Sequence, residues 1–177
     1  PSVLEGYITA NQQPFAKLTA CAGRMEVFSK KNKAKIVVDF AHTPDALAQA
    51  LQASRQHCQG KLWVVFGCGG DRDPQKRPLM GKIAAQLADY LVITNDNPRS
   101  ESPEKIVADI LAGIASKNKV SVEQDRKKAI SQTFENAASE DLILVAGKGH
   151  ETKQILADAA VEYDERAFVM QLMEAQA

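Results

Sequence analysis

Lys61-Leu62-Trp63-Val64-Val65-Phe66-Gly67-Cys68-Gly69-Gly70-Asp71-Arg72-Asp73 is the stretch on which the fold turns. Lys61–Phe66 is a short apolar run that breaks abruptly into glycines and charge, as a strand does when it ends in a loop. A run without polar alternation suits a strand buried on both faces, the habit of parallel sheets. Two other segments repeat the plan: Tyr90–Thr94 runs into Asp96-Asn97-Pro98-Arg99, and Asp141–Ala146 into Gly147-Lys148-Gly149-His150-Glu151. If the strands are parallel, all three loops emerge at one edge of one sheet. Ligands of open α/β sheets bind beyond the carboxyl ends of the strands. That edge would gather two arginines, an asparagine, a lysine, a histidine and several acids. Such chemistry suits a small polar molecule with both carboxylate and ammonium groups.

Outward from these loops the chain alternates strand and helix. Met25–Phe28 reads as a short strand and Ile36–Phe40 as a buried parallel one. Thr43-Pro44-Asp45 starts a helix with a capping hydroxyl, a first-turn proline and an early acid, continued by Leu47, Ala50, Leu51 and Ser54. Leu79, Met80, Ile83, Ala84, Leu87 and Ala88 follow helical spacing. Ser102-Pro103-Glu104 opens a helix whose apolar face is Ile106, Val107, Ile110, Leu111 and Ile114. Val120–Val122 is a short strand, and the next helix buries Ala129, Ile130, Thr133, Phe134 and Ala137. Gln154–Tyr163 reads as a hairpin, and Asp164 caps a closing helix with Phe168, Val169, Leu172 and Met173 on one side. The alternation predicts an α/β fold, a Rossmann-like and mostly parallel sheet with helices on both faces, plus short antiparallel edge strands or a hairpin.

A length of 177 residues suits one domain with a real core. Residues 1–23, mixed in polarity and without a clean period, read as a linker or the tail of a preceding domain, which leaves 24–177 as the domain. Lysine plus arginine balance aspartate plus glutamate at 22 each, so neither nucleic acid nor an acidic membrane is expected as a partner. No apolar run reaches the length of a bilayer span, and no signal-peptide pattern opens the chain. Cys21, Cys58 and Cys68 form neither a CxxC pair nor a zinc spacing, which points to a reducing cytoplasm.

Each loop admits two readings. Pro98 stiffens its loop, Arg99 offers a planar fork for a carboxylate, and Asn97 can hold an amino-acid head group. Equally, Asp96 and Asn97 can satisfy local backbone groups with Arg99 on the surface. The glycine loop has neither the GxxxxGK(S/T) nor the GxGxxG spacing, so Arg72 is either a ligand contact or part of a solvated cluster with Asp71 and Asp73. Glu151 can accept from an ammonium, or the glycines simply stop the strand and leave Lys148 and Glu151 on the surface. His150 has no partner at metal spacing. Asp39, near a strand end, can take a ribose hydroxyl or be satisfied by neighbouring amides. His42 precedes a helix N-terminus, where anions dock. Arg24 has no claim by itself.

Five blocks in order resemble the C-terminal domain of the Mur ligases, most closely the diaminopimelate-adding (MurE-type) branch. They are Gly23-Arg24-Met25-Glu26-Val27-Phe28, Val38 to Leu47 with Asp39-Phe40-Ala41-His42-Thr43-Pro44, Phe66 to Asp73 through Lys76-Arg77-Pro78-Leu79-Met80-Gly81, Asp96-Asn97-Pro98-Arg99, and Val145 to Glu151. The resemblance implies a domain of an ATP-dependent amide-bond ligase of peptidoglycan synthesis. In such enzymes ATP phosphorylates the D-glutamate carboxylate of UDP-N-acetylmuramoyl-L-alanyl-D-glutamate, and the amine of meso-diaminopimelate attacks the acyl-phosphate. It further implies N-terminal and central domains as partners, the central one carrying the P-loop and the Mg2+ ligands; without them the chain is not expected to turn over. By motif, Arg72, Asp96, Asn97, Pro98, Arg99, Gly147 and Glu151 would grip diaminopimelate, with the family's recognition motif on Asp96 to Arg99. Arg24, Asp39 and His42 would reach the nucleotide. No catalytic residue or metal ligand is implied within the chain; its residues position the amine. Arg99 would pair with the distal carboxylate that lysine lacks. The alternatives are another ligase of the superfamily, such as folylpolyglutamate synthase or a lysine-adding enzyme, and a stand-alone nucleotide- or anion-binding module.

Overall fold

Glu26–Phe28 (β1) pairs antiparallel with Lys35–Asp39 (β2), at the edge of a six-stranded sheet whose other pairings are all parallel. The computed structural model describes residues 21–157 and 159–175. The linker expected over 1–23 therefore lies, up to residue 20, outside the described residues. After β2 the chain forms Pro44–Gln56 (α1), Leu62–Phe66 (β3), Lys76–Leu87 (α2), Tyr90–Ile93 (β4), Pro103–Ala112 (α3), Val120–Val122 (β5), Arg126–Asn136 (α4) and Leu142–Ala146 (β6). A separate antiparallel hairpin, Lys153–Leu156 (β7) and Ala159–Glu162 (β8), precedes Glu165–Ala175 (α5).

The strand order is β1-β2-β6-β3-β4-β5, so the strand of this sheet that comes last along the chain inserts between the first two parallel ones. The central strands are apolar at every position because both faces are covered. Val37, Val64, Phe66, Leu91, Ile93, Leu142 and Leu144 face α1, α2 and α3 through Leu47, Leu51, Met80, Ala84, Ile106 and Ile110. Their neighbours Ile36, Val38, Val65, Val92, Ile143 and Val145 face α4 and α5 through Ala129, Ile130, Phe134, Val169 and Met173. Each fully buried side chain of this size contributes roughly 1.5–3 kcal/mol.

Helix starts follow the capping residues. Thr43 Oγ1 accepts from the Ala46 amide, Ser102 Oγ from Lys105, Asp125 Oδ1 from Lys128 and Asp164 Oδ1 from Ala167. One helix differs from its expected face. Leu79 is 53% exposed, whereas the buried stripe of α2 is Arg77, Met80, Gly81 and Ala84. Gly81 explains the rotation: it packs directly on the Ile110 carbonyl of α3, and any side chain there would collide. Among the described residues no helix is long and apolar enough to cross a membrane.

Register sets the height of the loops. Asp39 pairs with Ala146, Ala146 with Phe66, and Phe66 with Ile93. Four strands therefore end side by side, and four loops begin at one level.

Candidate functional site

Those four loops enclose a cavity of about 380 Å³. The loop after β2 contributes Phe40, His42 and Thr43, and the glycine loop after β3 contributes Gly67, Cys68, Gly69, Arg72 and Asp73, with Lys76 of α2 beside it. Asp96, Asn97 and Arg99 come from the loop after β4, and Gly147 and Glu151 from the loop after β6. Of the residues expected to grip a ligand, Arg72, Asp96, Asn97, Arg99, Gly147 and Glu151 thus share one wall system, together with His42. Pro98, Arg24 and Asp39 lie outside that wall. Pro98 is buried, and its carbonyl abuts Gly70 so closely that no side chain fits there.

The Asp96–Arg99 loop is held by a web of side chains. Asn97 Oδ1 accepts from Lys148 Nζ at 3.0 Å and from the Ile155 amide at 3.0 Å, while its Nδ2 donates to Glu151 Oε2 at 2.9 Å. Lys148 Nζ also donates to that Glu151 oxygen, at 3.0 Å. The hairpin braces the loop from behind. Gln154 Nε2 donates to the Asp96 carbonyl, and the Arg99 amide donates to the Ile155 carbonyl. Gly147 is required as glycine: its φ is +121°, and a Cβ would lie 2.6 Å from Asp96 Oδ2.

The two arginines converge on Gly69, where a Cβ would lie 2.9 Å from Arg99 Nη1 and 3.7 Å from Arg72 Cγ. Arg99, half-buried, donates through Nη1 to the Gly70 carbonyl at 2.8 Å. Arg72 is exposed and, among the described residues, donates only to the Asp71 carbonyl, at 3.1 Å. Most of the donors on both forks remain available to a carboxylate.

Two acids oppose them. Burial pushes the Asp96 carboxyl above its ordinary range, only partly offset by the charges of Arg126 and Lys148, and among the described residues no hydrogen bond reaches it. For Glu151, burial also works against ionisation, but hydrogen bonds from Asn97 and Lys148 prevail and hold it below the usual range. The Cys68 thiol is pushed up to about 12 by burial, so it offers no nucleophile near neutrality. Among the described residues no three His, Cys, Asp or Glu groups converge to hold a metal ion.

At the rim, the Arg24 guanidinium lies 4.6 Å from the Phe40 ring centroid, and the rings of His42 and His150 lie 4.6 and 5.1 Å from it. His42 Nδ1–H donates to the Phe40 carbonyl, which leaves Nε2 for a ligand. Asp39 accepts from the Met25 amide on one oxygen and the Ala41 amide on the other, both at 2.8 Å. It joins the segment bearing Arg24 to the loop bearing His42.

Several participants were not singled out from the sequence. Lys148, allowed for as a surface residue, is fully buried; a lysine between two glycines after an apolar strand carries no signal of burial. Arg77 and Arg126, also fully buried, find their acids in Glu101, Asp109 and Glu165, far along the chain. Gln154 and Ile155 sit in a hairpin whose contact with the Asp96–Arg99 loop no local pattern announces.

The family model for the Mur ligase, glutamate ligase domain, matches residues 23–149. The chain is 52% identical over 160 residues to the UDP-N-acetylmuramoyl-L-alanyl-D-glutamate–2,6-diaminopimelate ligase of Vibrio cholerae serotype O1, covering 90% of this chain and 32% of that protein. To the ligase of the same name from Vibrio vulnificus it is 54% identical over 158 residues, covering 89% and 32%. A solved structure of a UDP-N-acetylmuramoyl-L-alanyl-D-glutamate–2,6-diaminopimelate ligase superposes with a TM-score of 0.84 at 39% identity, covering 98% of this chain and 38% of that one. The chain thus spans about a third of the length of the curated relatives it matches.

Proposed function

The chain belongs to the Mur ligase family through its glutamate ligase domain, and from that premise we propose that it is the C-terminal, amino-acid-binding domain of an ATP-dependent ligase. The ligase adds meso-diaminopimelate to UDP-N-acetylmuramoyl-L-alanyl-D-glutamate in peptidoglycan synthesis, in the cytoplasm. The observation that carries this is one cavity in which the forks of Arg72 and Arg99 stand with the carboxylates of Asp96 and Glu151. Two cationic forks and two acids complement a molecule with two carboxylates and two ammonium groups.

In this account Arg99 and Arg72 clasp the carboxylate far from the reacting amine, and Asp96 and Glu151 receive its neighbouring ammonium. Asn97 holds Glu151 in position, Pro98 stiffens the loop, and Gly147 lets the backbone pass beside Asp96. Held this way, the other amine meets its acyl-phosphate as a local event rather than a bimolecular encounter. Its nitrogen forms the amide bond as the bond from the acyl carbon to phosphate breaks.

Arg24 has donors left, and His42 its Nε2, for a nucleotide held mainly by a preceding domain, to which residues 1–23 lead. Asp39 serves that contact by holding Met25 and Ala41 in place. ATP supplies the activating phosphoryl group, and its Mg2+ is assigned to residues outside this chain.

Phosphate release by the intact ligase, with ATP and the nucleotide dipeptide present, tests the assignment across a panel of amino acids. Turnover with meso-diaminopimelate far above that with lysine is expected. Equal turnover with lysine or glutamate would overturn it.

A further inference from the structure

We propose that Arg77, buried, and Glu101, partly exposed, form a strut that fixes the separation of Arg72 and Arg99, and through it the selectivity of the cavity for a ligand's distal carboxylate. The inference rests on reading the cavity as a diaminopimelate site. Neither strut residue lines the cavity.

The strut starts in the first turn of α2. Arg77 is fully buried and grips Glu101 with both prongs, Nη1 to Oε2 at 2.9 Å and Nη2 to Oε1 at 2.8 Å. Nη1 also reaches Asp109 of α3 at 2.9 Å, and Nη2 the Gly69 carbonyl at 3.4 Å. Glu101 passes the constraint on, because its Oε1 accepts from the Asp71 amide at 2.6 Å. Asp71 returns it: its carboxylate takes the Ser100 hydroxyl at 2.7 Å and the Ser100 amide at 3.3 Å. Residues 69–71 and 97–101 are also pinned directly, by Gly70 amide to Asn97 carbonyl at 2.9 Å and Arg99 Nη1 to Gly70 carbonyl at 2.8 Å. Arg72 follows this weld by one residue, and Arg99 precedes Ser100 by one.

Two further observations favour positioning over simple support. Asp71 and Arg99 both adopt left-handed backbone, φ +53° and +52°, which side-chain-bearing residues hold only when their surroundings impose it. Moreover, Arg77 occupies the same buried stripe as Met80 and Ala84, where an aliphatic residue would stabilise α2 without desolvating a charge. Enclosing the Arg77 guanidinium while its acids stay partly exposed is weak evidence of stability in its own right, and fixing one geometry among several is the better-attested use of such a pair. Hydrogen bonds from Arg77 and then from the Asp71 amide hold the Glu101 carboxyl below its ordinary range, so the strut is fully charged at neutral pH.

The test is steady-state kinetics of the intact ligase with Glu101→Gln and Arg77→Lys, each of which keeps size and polarity while spoiling the fork. Expected in both is a KM for diaminopimelate raised about tenfold or more, and a preference over lysine lowered about as much. The kcat at saturation and the KM for ATP should stay within about twofold. Unchanged KM and preference in a folded variant would overturn the strut, as would a loss falling equally on every substrate. If the wild type itself fails to saturate with diaminopimelate, the ligand assignment is wrong and the strut falls with it.

Discussion

Lys148 and Glu151 form a 3.0 Å ion pair in which the ammonium is fully buried and the carboxylate keeps about a third of its surface toward the cavity. The domain therefore carries an internal cation behind the acid that faces the cavity. Because Lys148 also donates to Asn97, one buried charge orients two of the residues expected to grip the ligand.

Replacing Lys148 with Met should leave Asn97 Oδ1 and Glu151 Oε2 short of a donor, at a cost of about 1–3 kcal/mol in stability. Affinity for diaminopimelate should fall in parallel. Chemical denaturation read beside calorimetric titration checks both, and a Lys148→Met, Glu151→Gln double-mutant cycle should show clear non-additivity.

Asp96 carries the opposite expectation for stability. Its carboxyl titrates above the unfolded value, so ionisation weakens the fold. That penalty is absent well below the unfolded carboxyl range, grows as pH rises through the folded value, and is constant above it. Asp96→Asn should therefore raise Tm at neutral pH, with the gain fading at acid pH, while ligand binding is lost. Melting curves across the pH range decide; a stabilisation independent of pH would contradict the account.

Arg126 and Glu165 form a second buried pair, both side chains fully enclosed, with the Tyr163 hydroxyl donating to the same carboxylate. Arg126 also donates through Nη2 to the Ala146 carbonyl at 2.9 Å, where β6 ends. Arg126→Met should cost about 3–5 kcal/mol by stranding the carboxylate, and adding Glu165→Gln should recover part of the loss. Equal unfolding midpoints for the single and double variants would contradict that.

The sheet was legible because both of its faces are buried. Apolar runs such as Leu62–Phe66 and Leu142–Ala146 suit strands covered on both faces, and Thr43-Pro44 and Ser102-Pro103 mark their helix starts locally. The convergence of loops followed from parallel strands ending in register. What could not be read was the set of partners brought together by tertiary packing. The neighbours of Lys148, Arg77 and Arg126 lie up to dozens of residues away, and the exposure of Leu79 depends on α2 resting on α3 through Gly81. Asp39 was legible only as a choice between ribose and amides, and its two backbone partners occupy both oxygens.

The most direct test compares kcat/KM for meso-diaminopimelate and for lysine in the intact ligase, with and without Arg99→Ala. If Arg99 meets the far carboxylate, its removal should erase most of the preference, a fall on the order of a hundredfold, while turnover with lysine barely changes. A preference that survives the substitution intact would show that the guanidinium beside Gly69 does not choose the substrate.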